Sequence, residues 1–274
     1  MKIEKTDLGI GEKHEGKVRD SYFLEDEIVM ISTDRISAFD VVLGTIPYKG
    51  QILNQLSAFW FEQTKNIVQN HLISVPDPNV SVVRKYNPIP LEIIIRGHVR
   101  DSKGNWNELA EPIMTPSTKA ERGFHDKPIS REEIIDGKIL TNTEYKNVEY
   151  IVLQLFNFGK NLTRKRGKQF ILMDTKYELA QGRDGKLVLI DEIHTPDSSR
   201  TIGQYDKEFL RAWLKEKGYS GEGKIPFIPG NIEAEVAFRY IEFYEAVTGK
   251  KFVPEKDNSE NRIKTNLRKA GYLK

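Results

Sequence analysis

The sequence predicts a protein that mixes antiparallel strands with long helices, and three observations carry the prediction. Short β-rich runs crowd the first 48 residues, an Asp-Gly pair at 184–185 sits between two apolar runs, and helical periodicities fill much of the remainder. In chain order, Ser21-Tyr-Phe-Leu24 and Ile28-Val-Met-Ile31 read as strands parted by the acidic turn Glu25-Asp-Glu27. Residues 54–68 read as an amphipathic helix with Leu53, Leu56, Phe59, Trp60, Phe61, Ile67 and Val68 on its apolar face. Strands follow at 80–84 and 91–96, with Asn87-Pro-Ile-Pro90 between them as a linker that divides the chain into 1–87 and 88–274. The capping box Ser130-x-x-Glu133 starts a short helix over 131–135, and further helices are predicted over 143–166, 207–217, 231–248 and from 260 onward.

The densest stretch is 170–200. Period-2 alternation puts Ile171, Met173, Tyr177 and Leu179 on one face of a strand and Asp174, Lys176 and Glu178 on the other. With Asp184-Gly185 as a two-residue turn, Glu178 falls directly opposite Asp191. Like charges so placed destabilise a sheet, and a cation between them would turn the cost into a site for a hard metal such as Mg²⁺. A solvated sheet face with scattered charges is the alternative.

Bulk properties exclude several classes. A net charge of +2 over 274 residues gives no field for nucleic acid, and Arg164-Lys-Arg-Gly-Lys168 suits a helix C-terminus without the aromatic interleaving of a nucleic-acid patch. Cysteine is absent, which removes disulfides, thiolate metal sites and a cysteine nucleophile, and the five histidines share no metal-ligand spacing. With no apolar run of membrane-spanning length and no signal core in Met1-Lys-Ile-Glu-Lys5, a cytoplasmic protein without membrane partners is expected. Oligomeric state is open, a homodimer included.

Four segments outside the central stretch carry candidate chemistry. Gly16-Lys-Val-Arg-Asp20 could close over phosphates through backbone N–H groups and Lys17, or be a plain hairpin; it is not a Walker A sequence. Thr33-Asp-Arg-Ile-Ser-Ala-Phe-Asp40 could be a ligand loop or a self-satisfied turn network. Arg96 leaves an apolar strand for a Gly-containing loop, a common site edge, and suits bidentate recognition of phosphate or carboxylate. The stretch 111–130 reads as turns, bringing Lys119, Glu121, His125 and Asp126 close together.

The first two of these segments, 16–20 and 33–40, with Thr115-Pro-Ser-Thr-Lys-Ala-Glu121, Asp174-Thr-Lys-Tyr-Glu178 and Asp191-Glu-x-x-Thr-Pro-Asp-Ser-Ser-Arg200, resemble in order the SAICAR synthetase family of purine biosynthesis. The resemblance implies an α+β fold, with a smaller antiparallel-sheet N-terminal lobe, a larger α+β lobe and ATP in the cleft between them, related to ATP-grasp and kinase-like nucleotide sites. It implies a ligase that uses ATP and Mg²⁺ to join L-aspartate to the carboxylated aminoimidazole ribotide CAIR, giving SAICAR, ADP and phosphate. Carried over by position, Gly16, Lys17, Val18, Arg19 and Lys119 resemble ATP contacts, and Glu178 and Asp191 the Mg–ATP carboxylates. Arg96, Ser102, Asp197, Ser198, Ser199 and Arg200 resemble groups that hold CAIR through its phosphate or carboxylate, and Asp174 and Lys176 those at its imidazole end. Asp34, Arg35 and Ser37 correspond to the phosphate-transfer and aspartate end. Lys17, Lys119, Asp174, Lys176 and Asp191 form the implied catalytic set. The loop 97–106 and Thr201-Ile-Gly203 depart from the family pattern. A small-molecule kinase on a similar fold and a non-catalytic binding protein are the competing readings.

Overall fold

In the computed structural model, which describes residues 2–103, 105–119, 126–257 and 259–274, the strands are β1 (Glu12–Glu15), β2 (Arg19–Phe23), β3 (Glu27–Ser32), β4 (Arg35–Ala38), β5 (Val41–Thr45), β6 (Gln69–Asn70), β7 (Leu72–Asp77), β8 (Val80–Arg84), β9 (Leu91–Arg100), β10 (Trp106–Thr118), β11 (Leu172–Gln181), β12 (Leu187–Ile190) and β13 (Ser199–Thr201). The helices are α1 (Lys49–Thr64), α2 (Arg131–Asp136), α3 (Asn142–Arg166), α4 (Glu208–Glu216), α5 (Gly230–Thr248) and α6 (Glu260–Lys269). Glu121 and His125 lie outside the described residues. The fold is α+β, and every strand pair among the described residues is antiparallel except β6 with β12. No helix among the described residues is long and apolar enough to cross a membrane.

The chain forms two compact units. The first comprises Met1–Phe59, Leu72–Lys85 and Gln204–Lys274, the second Trp60–His71 and Tyr86–Gly203.

The first unit is built on a sheet of order β1-β2-β3-β8-β7. Val29 and Ile31 of β3 alternate inward and join Tyr22, Val80 and Val82 in a core closed by Ile263 and Leu267 of α6. Arg262 fixes that helix through Asp77, with Nε–Oδ2 and Nη2–Oδ1 distances of 3.0 Å each. Helix α1 starts at Lys49, five residues before the expected 54, and ends at Thr64, before Ile67 and Val68. The extension has a physical cause: the buried Asp34 carboxylate accepts the Gly50 N–H (3.0 Å), satisfying a donor that a helix start leaves open. Gly50 is required there, because a Cβ would stand 2.1 Å from the Ser32 carbonyl oxygen.

The second unit holds the sheet β10-β9-β11-β12-β6, with β13 also paired to β11. Helix α3, expected at 143–166, spans Asn142–Arg166 and buries Val148, Val152, Leu155 and Phe156. Its basic end is partly neutralised, since Lys160 and Arg164 meet Glu108 at 2.9 and 2.5 Å. Two local expectations are corrected. Residues 97–100 continue β9, and 111–118 of the turn-rich stretch belong to β10, whose Pro112 and Pro116 are tolerated because β10 is an edge strand. The β11–β12 register is shifted by one: Glu178 pairs with Ile190, not Asp191. Gly182 N–H reaches the Lys186 carbonyl (2.8 Å), so the loop has three residues, with Gly185 in the left-handed region at φ +77°.

Candidate active site

Three charged residues stand in a row across the second unit's sheet. Asp174 on β11 pairs with Arg96 on β9 and with Arg200 on β13. Arg200 Nε donates to both Asp174 oxygens at 2.9 Å, its Nη2 also contacts Oδ2, and Arg96 Nη1 lies 3.7 Å away. Arg96 is further oriented by Nε donation to Thr115 Oγ1 (3.0 Å). The indole of Trp106 lies against both Arg100 and Arg200, with guanidinium carbons 4.6 and 4.8 Å from the ring centroid. Buried Asp174 thus holds two guanidiniums that both reach the surface, an arrangement suited to a doubly charged anion.

Two residues further along β11, Lys176 gathers carboxylates. Its ammonium lies 2.8 Å from Glu178 Oε1, 2.9 Å from Glu92 Oε1 and 3.9 Å from Asp191 Oδ2. Lys119 Nζ takes the other Glu178 oxygen at 2.5 Å. Burial works against the Lys176 charge, but Glu178, Asp191 and Glu92 outweigh it and raise its pKa above the ordinary lysine value. Burial raises Glu92, against the pull of Lys176. Asp191 joins this group despite the shifted register because its backbone turns left-handed, φ +67°, immediately after β12. Glu178 and Asp191 present oxygen donors of the kind a hard divalent cation takes; no group of three or more potential metal ligands occurs among the described residues.

Between these charges the strand's other face anchors the segment that follows. Tyr177 and His194 are both fully buried, their hydroxyl and Nε2 2.5 Å apart, and the imidazole packs edge-on against Trp60 at 4.7 Å. His194 also has positive φ (+50°), and Gly159 of α3 leaves it room: a Cβ there would lie 2.3 Å from the ring. Burial pushes His194 down to about 3.

In the first unit, Lys17 is exposed and pairs with Asp40, Gly16 and Val18 complete the β1–β2 connection, and Arg19 opens β2. Asp34 and Arg35 are buried with internal partners: Asp34 accepts from Ile3 N–H (2.7 Å) and Gly50 N–H, and Arg35 binds backbone carbonyls and Asp20. Ser37 is buried in β4.

The remaining expected residues divide. Ser102 is exposed in the turn between β9 and β10. Ser198 accepts the Thr195 N–H (3.1 Å) and gives its carbonyl to Lys176 N–H (2.9 Å); Ser199 is buried against Thr175 (2.8 Å between hydroxyls). These bonds, with Asp197 N–H on Thr195 Oγ1 (3.2 Å), shape the turn that delivers Arg200. Glu92, Trp106 and Tyr177–His194 were not anticipated. Alternation did place Glu92 on the face of Arg96; the others carry no sequence signal.

One strand thus carries an aspartate with two arginines beside a lysine-bridged carboxylate pair, a set of charges suited to charged small molecules. The family model described as SAICAR synthetase matches residues 12–226, and the chain belongs to that family. A phosphoribosylaminoimidazole-succinocarboxamide synthase of Bacteroides thetaiotaomicron is 41% identical, covering 97% of each chain. The SAICAR synthase of Saccharomyces cerevisiae, solved with SAICAR, superposes with a TM-score of 0.79 at 31% identity over 91% of this chain and 99% of that one. A type-2 SAICAR synthetase solved with ADP gives 0.71 at 27% identity over 88% and 100%. These likenesses do not favour the kinase alternative.

Proposed function

We propose that this chain is an ATP-dependent ligase that joins L-aspartate to CAIR, forming SAICAR, ADP and phosphate, and that it works in the cytoplasm on small-molecule substrates. The observation that carries the reading is the placement, on one face of β11, of Asp174 with its two arginines and of Lys176 with Glu178 and Asp191. A ribotide carries a phosphate and a carboxylate, and a nucleotide carries a metal-bound triphosphate; both kinds of group have partners on or beside the five residues 174–178. The chain's membership in the family and its likeness to proteins solved with SAICAR and with ADP support it.

The chemistry explains the inventory. A carboxylate acylates poorly because its leaving group would be oxide. Transfer of the γ-phosphoryl group to a CAIR carboxylate oxygen expels ADP and gives an acyl phosphate; the aspartate amine then attacks the carbonyl carbon, and phosphate leaves with that oxygen. Bringing triphosphate and carboxylate together requires positioning and charge neutralisation rather than a side-chain nucleophile.

Arg96 and Arg200, oriented by Asp174, bind the ribotide's anionic groups, with Asp197, Ser198 and Ser199 shaping the turn. Ser102 stands at the outer end of that strand pair. Lys119 and Lys176, now on carboxylates, are the cations that meet developing phosphoryl charge. Glu178 and Asp191 would hold Mg²⁺, which when bound neutralises phosphate charge. Lys17 and the backbone of 16–19 bind the triphosphate. The test is isotopic: with ¹⁸O in the CAIR carboxylate, one label should appear in the released phosphate. Unlabelled phosphate would exclude the acyl phosphate.

A further inference from the structure

The carbonyl oxygens of Gly16, Lys17 and Val18, the β1–β2 loop, meet donors of Arg35 and Thr33 in the first unit's interior. Gly16 O accepts from Arg35 Nη2 (2.8 Å), and Lys17 O from Arg35 Nε (3.1 Å). Val18 O accepts from Thr33 N–H (3.0 Å) and Thr33 Oγ1 (2.8 Å), and Arg19 O from Gly16 N–H (2.8 Å). In a trans peptide the carbonyl of one residue and the N–H of the next point in opposite directions, and this chain has no cis bond among its described residues. Holding the Gly16 and Lys17 carbonyls inward therefore turns the Lys17 and Val18 N–H groups outward, on the side away from Arg35. Consecutive outward N–H groups are the backbone device for binding phosphate.

We infer that Arg35 is the positioning residue of the phosphate loop, aiming the Lys17 and Val18 N–H groups at the nucleotide rather than touching substrate itself. The inference rests on the nucleotide reading of that loop given above. Arg35 is 6% exposed, and its fork is engaged all round: Nη1 contacts the Glu4 carbonyl, and Nη2 also meets Asp20 Oδ1 at 2.8 Å. Asp20 is itself fixed by Thr6 N–H and Oγ1 at 2.8 and 2.9 Å, with Lys13 3.3 Å away. Only a guanidinium presents donors at the angles needed to hold two successive carbonyls and a carboxylate together.

Arg35→Lys separates this role from simple structural support, because an ammonium can still pair with Asp20 yet cannot span both carbonyls. Mg·ADP affinity, measured by fluorescence titration, should fall tenfold or more, while CAIR affinity and KM for aspartate stay within twofold. Mg·ADP affinity within twofold of wild type would overturn the inference, as would equal losses for ADP and CAIR. A rise in KM for aspartate alone would put Arg35 at the aspartate end instead. Asp20→Asn keeps an oxygen acceptor for Arg35 Nη2 but weakens its hold on the guanidinium, and should weaken Mg·ADP two- to fivefold. If Arg35→Lys does not fold, an unchanged Mg·ADP affinity in Asp20→Asn refutes the inference. Failure of the wild-type protein to bind Mg·ADP would fail the nucleotide reading first, and this inference with it.

Discussion

The Asp191 carboxylate stands 3.9 Å from the Lys176 ammonium although β12 ends one residue before it. A regular strand would send successive side chains to opposite faces, and Ile190 already pairs with Glu178. The left-handed backbone at Asp191 reverses the chain's path and returns its carboxylate to the charged cluster. Asp and Asn adopt this conformation more readily than most residues. Asp191→Asn therefore removes the charge while keeping the backbone. Turnover should fall about 100-fold or more, the usual scale for losing one preorganised electrostatic group. CAIR affinity by calorimetry should stay within a few fold, and wild-type-like turnover would sink the metal assignment.

Arg200→Lys tests the anion row. The bidentate hold on Asp174 and the contact with Trp106 both need a planar guanidinium. Steady-state kinetics should show KM for CAIR raised about tenfold, the loss of one charge-assisted bond. Mg·ADP binding should remain near wild type; its collapse would place this turn on the wrong substrate.

His194 predicts an acid-sensitive fold. Burial holds its imidazole neutral down to about pH 3, whereas the unfolded chain takes up a proton below the ordinary value of 6.5. The unfolded state then binds more protons, so this contribution is complete above pH 6.5 and is lost as pH falls toward 3, by about 1.4 kcal/mol per unit. Between pH 7 and 5 the loss is about 2 kcal/mol, or several degrees in Tm. His194→Gln should be less stable at pH 7 but show a shallower slope in thermal melts. Parallel slopes would mean that other groups set the acid limit.

Gly159→Ala should be costly despite its conservative look. The added Cβ meets the buried imidazole, which Tyr177 and Trp60 hold in place. Overpacking of this kind destabilises by about 1–3 kcal/mol, readable in a melt. A wild-type Tm would show that the His194 ring can move aside.

Much of this molecule was legible in its sequence because periodicity and capping are local. Helix α3 and the strands around the Asp184-Gly185 turn follow from patterns the chain carries on its face. The register slipped by one because apolar runs do not distinguish a two-residue turn from a three-residue loop with glycine at the left-handed position. Tertiary partners were beyond reach. Asp34-Arg35 read equally well as ligand loop or self-satisfied network, and only the fold shows Asp34 on the α1 start and Arg35 on the loop carbonyls. A lone histidine says nothing of a fully buried pairing with a tyrosine 17 positions earlier.

The central claim is that ATP cleavage here serves amide formation. With wild-type protein, Mg·ATP and CAIR, phosphate release should require L-aspartate, and should then match SAICAR one for one. Phosphate release indifferent to aspartate, or a stable phosphorylated ribotide, would contradict the account.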